Sequence, residues 1–461
     1  MIPSKISLLS LVFLIVTAIN SIRNWPTTAC FGGALIFYCL LAALLFLIPI
    51  AFISAEFSSR YPTEGGVFYW VRHAFGEHAG VLAVWLQWIN TMVWYPSMLL
   101  FIAGTAAHFI HPTLAKNPHF LTFFSLAIFW GLTLINFRGI QASVRINTYC
   151  GTMGTLFPMV CLILLGIGWW IYGKSNPISF ALPISSLVNQ GGVLISIMAS
   201  FLGMELSGVY IHDMNNPQKN FPKAIAYSVA ILLITLVLGS LSIALVMPQE
   251  QLCFIEGVMQ TFTIFFHTLH LSWIIPMLAL LICVGSFGSC INWLLSPAQG
   301  LLQVAQHRFL PPFFLVKNRH QVCVRVLLIQ ACVVSLLCFT FQFMPTANAS
   351  YWFFLSLSTA LYMLMYVILF FSALKLGRPT SPHGYQIPRG LRTLSCLMGL
   401  VGCTLTIVLG FIPPLHAAVK SPATYALCIG AGFVLMISPV WFLWHYHKRQ
   451  QYYPFKKKTL S

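Results

Sequence analysis

Long uninterrupted blocks of apolar residues constrain this chain more than any other feature. The 461 residues contain twelve blocks of about 20 residues or more, long enough as helices to cross roughly 30 Å of hydrocarbon. Only 7% of the residues are charged, and the alternating pattern of a membrane barrel is absent. The sequence therefore predicts an all-α integral membrane protein with twelve transmembrane helices. The predicted spans are residues 6–28, 33–57, 78–110, 120–137, 144–172, 190–212, 223–247, 271–304, 323–344, 350–375, 391–413 and 424–446.

Basic residues gather on one side of these spans. With the N-terminus in the cytoplasm, 20 of the 24 Lys and Arg residues are cytoplasmic, three are on the far side and Arg23 is inside the membrane. We therefore expect a multi-pass protein of the cell membrane, the inner membrane in a bacterium. Both termini, including the basic tail 447–461, are expected in the cytoplasm. The net charge of +17 then reflects topology and anionic lipid, so the expected macromolecular partner is the bilayer and not nucleic acid.

The first span carries an arginine where lipid-facing helix is expected, in the run "NSIRNWP". An arginine at the centre of a membrane helix costs roughly 2.5 to 3.5 kcal/mol on insertion scales, so something must compensate Arg23. Pro26 cannot donate a backbone hydrogen bond, and Trp25 before it is pushed away from helical geometry. We predict a helix interrupted near the bilayer middle, with the Asn20 and Ser21 side chains bonded to the freed backbone.

The sixth span is also unusual, because Glu205 lies between Gly203 and Gly208 near its middle. Glycine on both sides of a buried acid permits unwinding and the close approach of a ligand. Spans one and six open two sets of five spans, and interrupted segments at corresponding places indicate a transporter built from inverted repeats.

The predicted organisation follows from that pairing. Residues 1–172 form the first inverted repeat, residues 190–375 form the second, and residues 391–446 contain spans eleven and twelve. A cavity between spans one and six is expected, since irregular backbone at this depth must line a cavity or be buried in protein.

The chemistry of such a cavity fits a zwitterion. Helix N-termini would attract a carboxylate and helix C-termini an ammonium group, so an amino acid is the expected substrate. Arg23 could serve as counter-ion for a second carboxylate, which favours an anionic or neutral substrate such as glutamate. It could instead pair with Glu205 as a structural bridge. Glu205 could also be held protonated by desolvation, which would make it a candidate for proton coupling.

Other functions find little support in the sequence. An embedded enzyme would need converging catalytic groups, and the acids within or at the edge of spans are only Glu56 and Glu205. Neither His267 and His270 nor the thirteen cysteines form a metal-binding pattern. We expect no catalytic residue, cofactor or metal, and we expect Glu56 at the cytoplasmic boundary near Arg60. The oligomeric state stays open, and a homodimer is among the allowed states.

Three motifs resemble permeases of the amino acid-polyamine-organocation superfamily: "AEFSSRYPTEGGVFYWVRHAFGEHAG" after span two, "FLGMELSGVYIHDMNNPQKNFPKAI" from span six, and "SPAQGLLQVAQHRFLPPFF" after span eight. The chain is most similar to glutamate/γ-aminobutyrate antiporter-type transporters through "SIRNWP", "WLQWINTMVWYP" and "GMELSG". This resemblance implies a LeuT-like fold of two inverted five-helix repeats with broken helices 1 and 6, plus two C-terminal helices. It also implies alternating access.

In that family the amino and carboxyl groups of the substrate meet the unwound segments of spans one and six. Carried onto this sequence, the candidate substrate-binding residues are Ile19, Asn20, Ser21, Arg23, Phe201, Gly203, Met204, Glu205 and Ser207. The resemblance implies a secondary active antiporter of glutamate/γ-aminobutyrate-like or neutral amino acids. The alternative is a proton-coupled importer of neutral amino acids or polyamines.

The sequence departs from the family pattern at two places in the site. Many members have Gly-x-Gly in the first break, where this chain has Ile19, Asn20 and Ser21. The aromatic residue that gates the pocket of arginine exchangers falls at Ala199. Tight capping of a guanidinium substrate is therefore not expected.

Overall fold

The structure is a computed structural model that describes residues 7–61, 66–138, 150–177, 194–206, 216–248, 251–320, 322–377, 385–413 and 421–452. Every regular element in these ranges is helical. The helices are α1 (Leu8–Ile19), α2 (Trp25–Ala29), α3 (Gly32–Arg60), α4 (Val67–Phe75), α5 (Glu77–Ile110), α6 (Pro118–Asn136), α7 (Phe157–Ile171), α8 (Leu194–Leu206), α9 (Pro217–Val246), α10 (Gly257–Thr268), α11 (Ile274–Gln306), α12 (Val324–Phe339), α13 (Ala347–Leu376), α14 (Arg389–Leu409), α15 (Pro422–Ile437) and α16 (Pro439–Tyr452).

The prediction of a helical membrane protein is confirmed. Within the described ranges, ten segments are long and apolar enough to cross a membrane, α1 with α2 forms an eleventh bent span, and α8 is a shorter apolar helix. Each overlaps one of the twelve predicted blocks, and several extend beyond the predicted bounds by a few residues, as Gly32–Arg60 does. The inverted-repeat arrangement of twelve spans, with the bounds given above, stays a prediction.

The first span is broken where α1 ends. Asn20 and Ser21 both have extended backbone, with ψ of 122° and 119°, before a 3₁₀ turn at Ile22–Asn24. The two halves of the span are bent by 43°. The interruption is therefore present, and it is made by two polar residues.

Two details predicted for this break are wrong. Trp25 is helical, with φ −63° and ψ −38°, because Pro26 lies in the first turn of α2, where a backbone donor is not needed. The proline thus opens the second half of the span. The Asn20 side-chain amide donates to Thr235 Oγ1 of α9 at 3.0 Å and not to the freed backbone. Ser21 makes no side-chain capping hydrogen bond.

The sixth span also departs from a regular helix. Its α-helical run ends at residue 199, residues 200–203 form a turn, and residues 204–206 form a 3₁₀ turn. Gly203 has φ of 101°, a left-handed conformation that glycine adopts without steric penalty. The turn therefore coincides with the predicted interruption. Ser207 and Gly208 lie outside the described residues.

Two long helices form the centre of the molecule. α5 packs most extensively against α11 and α13, and α13 also packs against α14. The most apolar windows of α5 and α13 are each 78% buried, compared with 11% for Pro422–Arg449. The last span therefore lies at the periphery, where its apolar side chains are available to lipid.

A buried ion pair links this centre to the last spans. Glu56 Oε1 of α3 lies 3.2 Å from Arg392 Nε of α14, and both residues are almost fully buried. Arg392 also donates to the Ala373 carbonyl of α13. The predicted neighbour was Arg60, which instead donates to the Gly377 carbonyl at 3.1 Å. Glu56 thus forms its ion pair with Arg392, which is far from it in the sequence, and not with the neighbouring Arg60.

Candidate functional site

A cavity lies at the break of the first span. The empty space there is about 510 Å³, and part of it is open to solvent. Its walls come from five places in the chain: the α1–α2 break, α5, α8, α11 and α13. The lining residues are Ile19, Asn20, Ser21, Arg23, Asn24, Asn90, Trp94, Ala199, Leu202, Ser289, Trp293 and Tyr362.

Two helix ends meet at this cavity. α1 ends at Ile19 with Asn20 as its C-cap, and the regular part of α8 ends at Ala199. All three residues line the cavity. The carbonyl groups of a helix C-terminus carry partial negative charge, so both ends favour a cation. The cavity is therefore suited to an ammonium group on this side.

Arg23 supplies positive charge on the cavity wall. Its Nη1 donates to Ser97 Oγ of α5 at 2.6 Å, and its guanidinium carbon lies 5.2 Å from the centre of the Trp94 ring and 5.6 Å from that of Tyr351. Such cation–π contacts favour the charged side chain in a dry site. Its Nε is buried and has no hydrogen-bond partner among the residues that the structure describes. The described contacts of the Arg23 side chain are thus all with neutral groups.

Arg23 and Glu205 do not form the bridge that the sequence left open. Each carboxylate in the described ranges contacts a different partner, and none lies within 4 Å of the Arg23 guanidinium. Those contacts are Glu56 with Arg392, Glu77 with Arg72, Glu205 with Tyr362 and Tyr366, and Glu256 with His108. Within this part of the chain, Arg23 has no acidic counter-ion.

Glu205 lies behind the cavity wall. One carboxylate oxygen accepts from Tyr362 and from Gln87 Nε2 at 3.1 Å, and the other accepts from Tyr366. The residue is 2% exposed. Tyr366 in turn accepts from the Gly203 amide at 3.0 Å. Glu205 therefore ties the turn of α8 to α5 and α13.

Tyr362 connects this network to the cavity. It lines the cavity while its hydroxyl donates to Glu205, so a ligand that displaces the tyrosine also changes the surroundings of the carboxylate. Trp293 of α11 lies beside it, with ring centres 6.3 Å apart. A change in the protonation or position of Glu205 can therefore alter the cavity wall through the Tyr362 side chain.

The structure divides the predicted site residues into two groups. Those from the first span, Ile19 to Ser21 and Arg23, line the cavity. Those from the sixth span, Phe201, Gly203, Met204 and Glu205, are buried behind its wall, and Ala199 and Leu202 line the cavity in their place. Ser207 lies outside the described residues.

Sequence reasoning missed the contribution of α5. Gln87, Asn90, Trp94 and Ser97 follow one another at spacings of three, four and three residues, which is one face of a helix. Three of them are polar inside an otherwise apolar span. Asn90 and Trp94 line the cavity, while Gln87 contacts Glu205 and Ser97 contacts Arg23. The stripe was therefore a sequence signal for the side of α5 that faces the site, whereas the tyrosines of α13 carried no comparable signal.

The turn of α8 gives a stability prediction. A side chain at Gly203 would be strained at φ 101°, and its Cβ would lie 3.0 Å from the Trp293 ring. Gly203→Ala is therefore expected to destabilise the purified protein by about 1–3 kcal/mol, seen as a lower midpoint of thermal denaturation in detergent.

Gly131→Ala in α6 is the matched control, because a Cβ there meets nothing within 4 Å and no positive φ is involved. It should leave the midpoint unchanged or raise it. Equal midpoints for the two variants would contradict the assigned conformation of Gly203.

Comparisons with known proteins identify the family of this chain. The family model of amino acid permeases matches residues 6–434. An uncharacterized transporter of Legionella pneumophila is 34% identical over 96% of this chain and 97% of its own length. A glutamate/γ-aminobutyrate antiporter of Lactococcus lactis is 29% identical over 94% of this chain and 88% of its own. A probable agmatine/putrescine antiporter of the same species is 22% identical over 94% and 93%. The chain belongs to the amino acid permease family.

Proposed function

We propose that this permease is a secondary active transporter that exchanges glutamate/γ-aminobutyrate-like or neutral amino acids by alternating access. The family supports transport of amino acids, and the similar antiporter of Lactococcus lactis supports exchange. The observation that carries the proposal is the cavity at the break of the first span, lined by two helix ends and by Arg23.

Different parts of the cavity wall would bind the ammonium and carboxylate groups of the substrate. The carbonyl ends of α1 and of the regular part of α8 would face the substrate ammonium, and the polar side chains of Asn20 and Ser21 would contribute hydrogen bonds. Arg23 would face a carboxylate. Trp94 and Trp293 would exclude water from the bound substrate and strengthen these electrostatic contacts.

The proposal includes the arrangement of the chain. Twelve spans in two inverted repeats with two further helices would place the cavity at the repeat interface. The termini would lie in the cytoplasm, and a homodimer is compatible with the peripheral last span.

Reconstituted vesicles test exchange directly. Vesicles loaded with glutamate are expected to take up labelled γ-aminobutyrate, because internal substrate returns the carrier to the outside. Vesicles without internal amino acid are the control and should take up little. Exchange confined to cationic substrates would reject the proposed substrates, and no amino acid movement under any gradient would reject transport.

The second candidate is proton-coupled import of neutral amino acids or polyamines. Glu205 favours it, because this buried carboxylate is held by hydroxyl and amide donors and adjoins the cavity through Tyr362. The similarity to a probable agmatine/putrescine antiporter supports polyamines as candidate substrates. Import predicts uptake into empty vesicles when a pH gradient is applied, and Glu205→Gln should abolish that dependence.

A further inference from the structure

Arg23 places a positive charge at the cavity that no carboxylate among the described residues compensates. Its described contacts are a serine hydroxyl and two aromatic rings, which orient a guanidinium without neutralising it. Charges buried in protein are normally paired, and a buried charge in a membrane segment usually marks function. The missing partner is therefore expected to be an anion that enters the cavity.

Ser97 fixes the orientation of the Arg23 guanidinium that would bind this anion. Its hydroxyl donates to the Trp94 carbonyl at 2.8 Å, so an oxygen lone pair is left to accept from Arg23 Nη1 at 2.6 Å. The Tyr351 hydroxyl donates to the Arg23 carbonyl at 3.4 Å and places its ring beside the guanidinium. The side chain is thus held from three directions before any ligand is present.

We propose that Arg23 binds the side-chain carboxylate of an acidic amino acid, and that Ser97 is its positioning residue. This rests on the proposed function and deepens it. Glutamate and γ-aminobutyrate share one carboxylate, the one that remains when glutamate loses its α-carboxyl group. A site that binds this shared carboxylate at Arg23 and the shared amine at the helix ends accepts both molecules. It discriminates against amides and against diamines.

Glutamate and glutamine provide the test, since they differ in the charge of this group and hardly in shape. Binding to the purified protein is measured by calorimetry, and exchange is measured in vesicles. The wild type is expected to bind glutamate about 10- to 100-fold more tightly than glutamine, the range of a charge-assisted hydrogen bond. Arg23→Gln should bring that ratio close to one.

The positioning role is tested at Ser97. Ser97→Ala should weaken glutamate binding about 2- to 10-fold, with a smaller change for glutamine, and Ser97→Thr should restore it because the hydroxyl is kept. The matched control is Thr105→Ala on the same helix, since Thr105 is buried and its hydroxyl has no hydrogen-bond partner in the described part of the chain. It should leave the ratio of the two affinities unchanged.

The outcomes separate this inference from the proposed function. If Arg23→Gln weakens both ligands equally, or if the wild type binds glutamine as tightly as glutamate, the carboxylate site is rejected even where exchange is intact. If glutamate binds selectively but no exchange occurs, the carboxylate site stands and the transport proposal falls. If Arg23→Gln does not fold, the Ser97 series decides, because a loss of glutamate selectivity that Ser97→Thr does not reverse overturns the positioning role.

Discussion

Glu205→Ala is expected to abolish amino acid exchange in vesicles. The substitution removes the acceptor of three buried donors, the hydroxyls of Tyr362 and Tyr366 and the amide of Gln87. A buried hydrogen bond to a charged group contributes about 1.5–3 kcal/mol. The loss of an acceptor that three donors share should therefore cost more free energy than the loss of any single hydrogen bond in the site. We expect at least a ~100-fold fall in the initial rate of exchange.

Two variants show whether that loss is specific. Glu77→Ala removes a carboxylate whose pair with Arg72 is only about two-thirds buried, and it should exchange like the wild type. Glu205→Gln keeps the size of the side chain and one acceptor oxygen, so it should fold. If its exchange equals that of the wild type at every pH, Glu205 carries no proton and serves the site only as an acceptor.

Arg392→Ala is expected to give the largest loss of stability. It leaves the buried Glu56 carboxylate without its arginine and removes the donor to the Ala373 carbonyl. Removing one partner of a buried ion pair destabilises proteins by about 3–5 kcal/mol. The midpoint of thermal denaturation in detergent should therefore fall clearly below that of the wild type.

The matched control for this variant is Arg72→Ala, which breaks the more exposed pair with Glu77. Exposed pairs contribute about 0–1 kcal/mol, so its midpoint should stay close to the wild-type value. The double variant Glu56→Gln with Arg392→Ala also removes the buried carboxylate charge and should recover part of the loss. If Arg392→Ala were no less stable than Arg72→Ala, the buried pair would have no structural role.

The sequence predicted what is local in this protein. Apolar blocks revealed the spans, and "NSIRNWP" located the first break to within a few residues, because chain-breaking chemistry acts on neighbouring residues. Even there the proline misled: Pro26 begins a helix, and the extended residues are Asn20 and Ser21. Proline is tolerated in a first turn, so its presence marks a boundary without saying on which side the break lies.

Partners distant in the chain were beyond a single sequence. Arg23 was expected to meet Glu205 or a substrate, and the structure gives it Ser97, Trp94 and Tyr351. Charge complementarity suggested the first pairing, whereas helix packing decides which side chains meet, and periodicity does not reveal which helices are adjacent. The polar face of α5 was visible in the sequence, but nothing in it indicated that the face lies opposite the first break.

The ion pair between Glu56 and Arg392 has a consequence for biosynthesis. The chain is made from its N-terminus, so α3 is inserted long before α14 has left the ribosome. During that interval Glu56 lacks the arginine that accompanies it in the finished protein. The last spans therefore complete the charge pairing of an early one. A chain interrupted after α13 would keep the cavity residues and lack the arginine that contacts the Glu56 carboxylate.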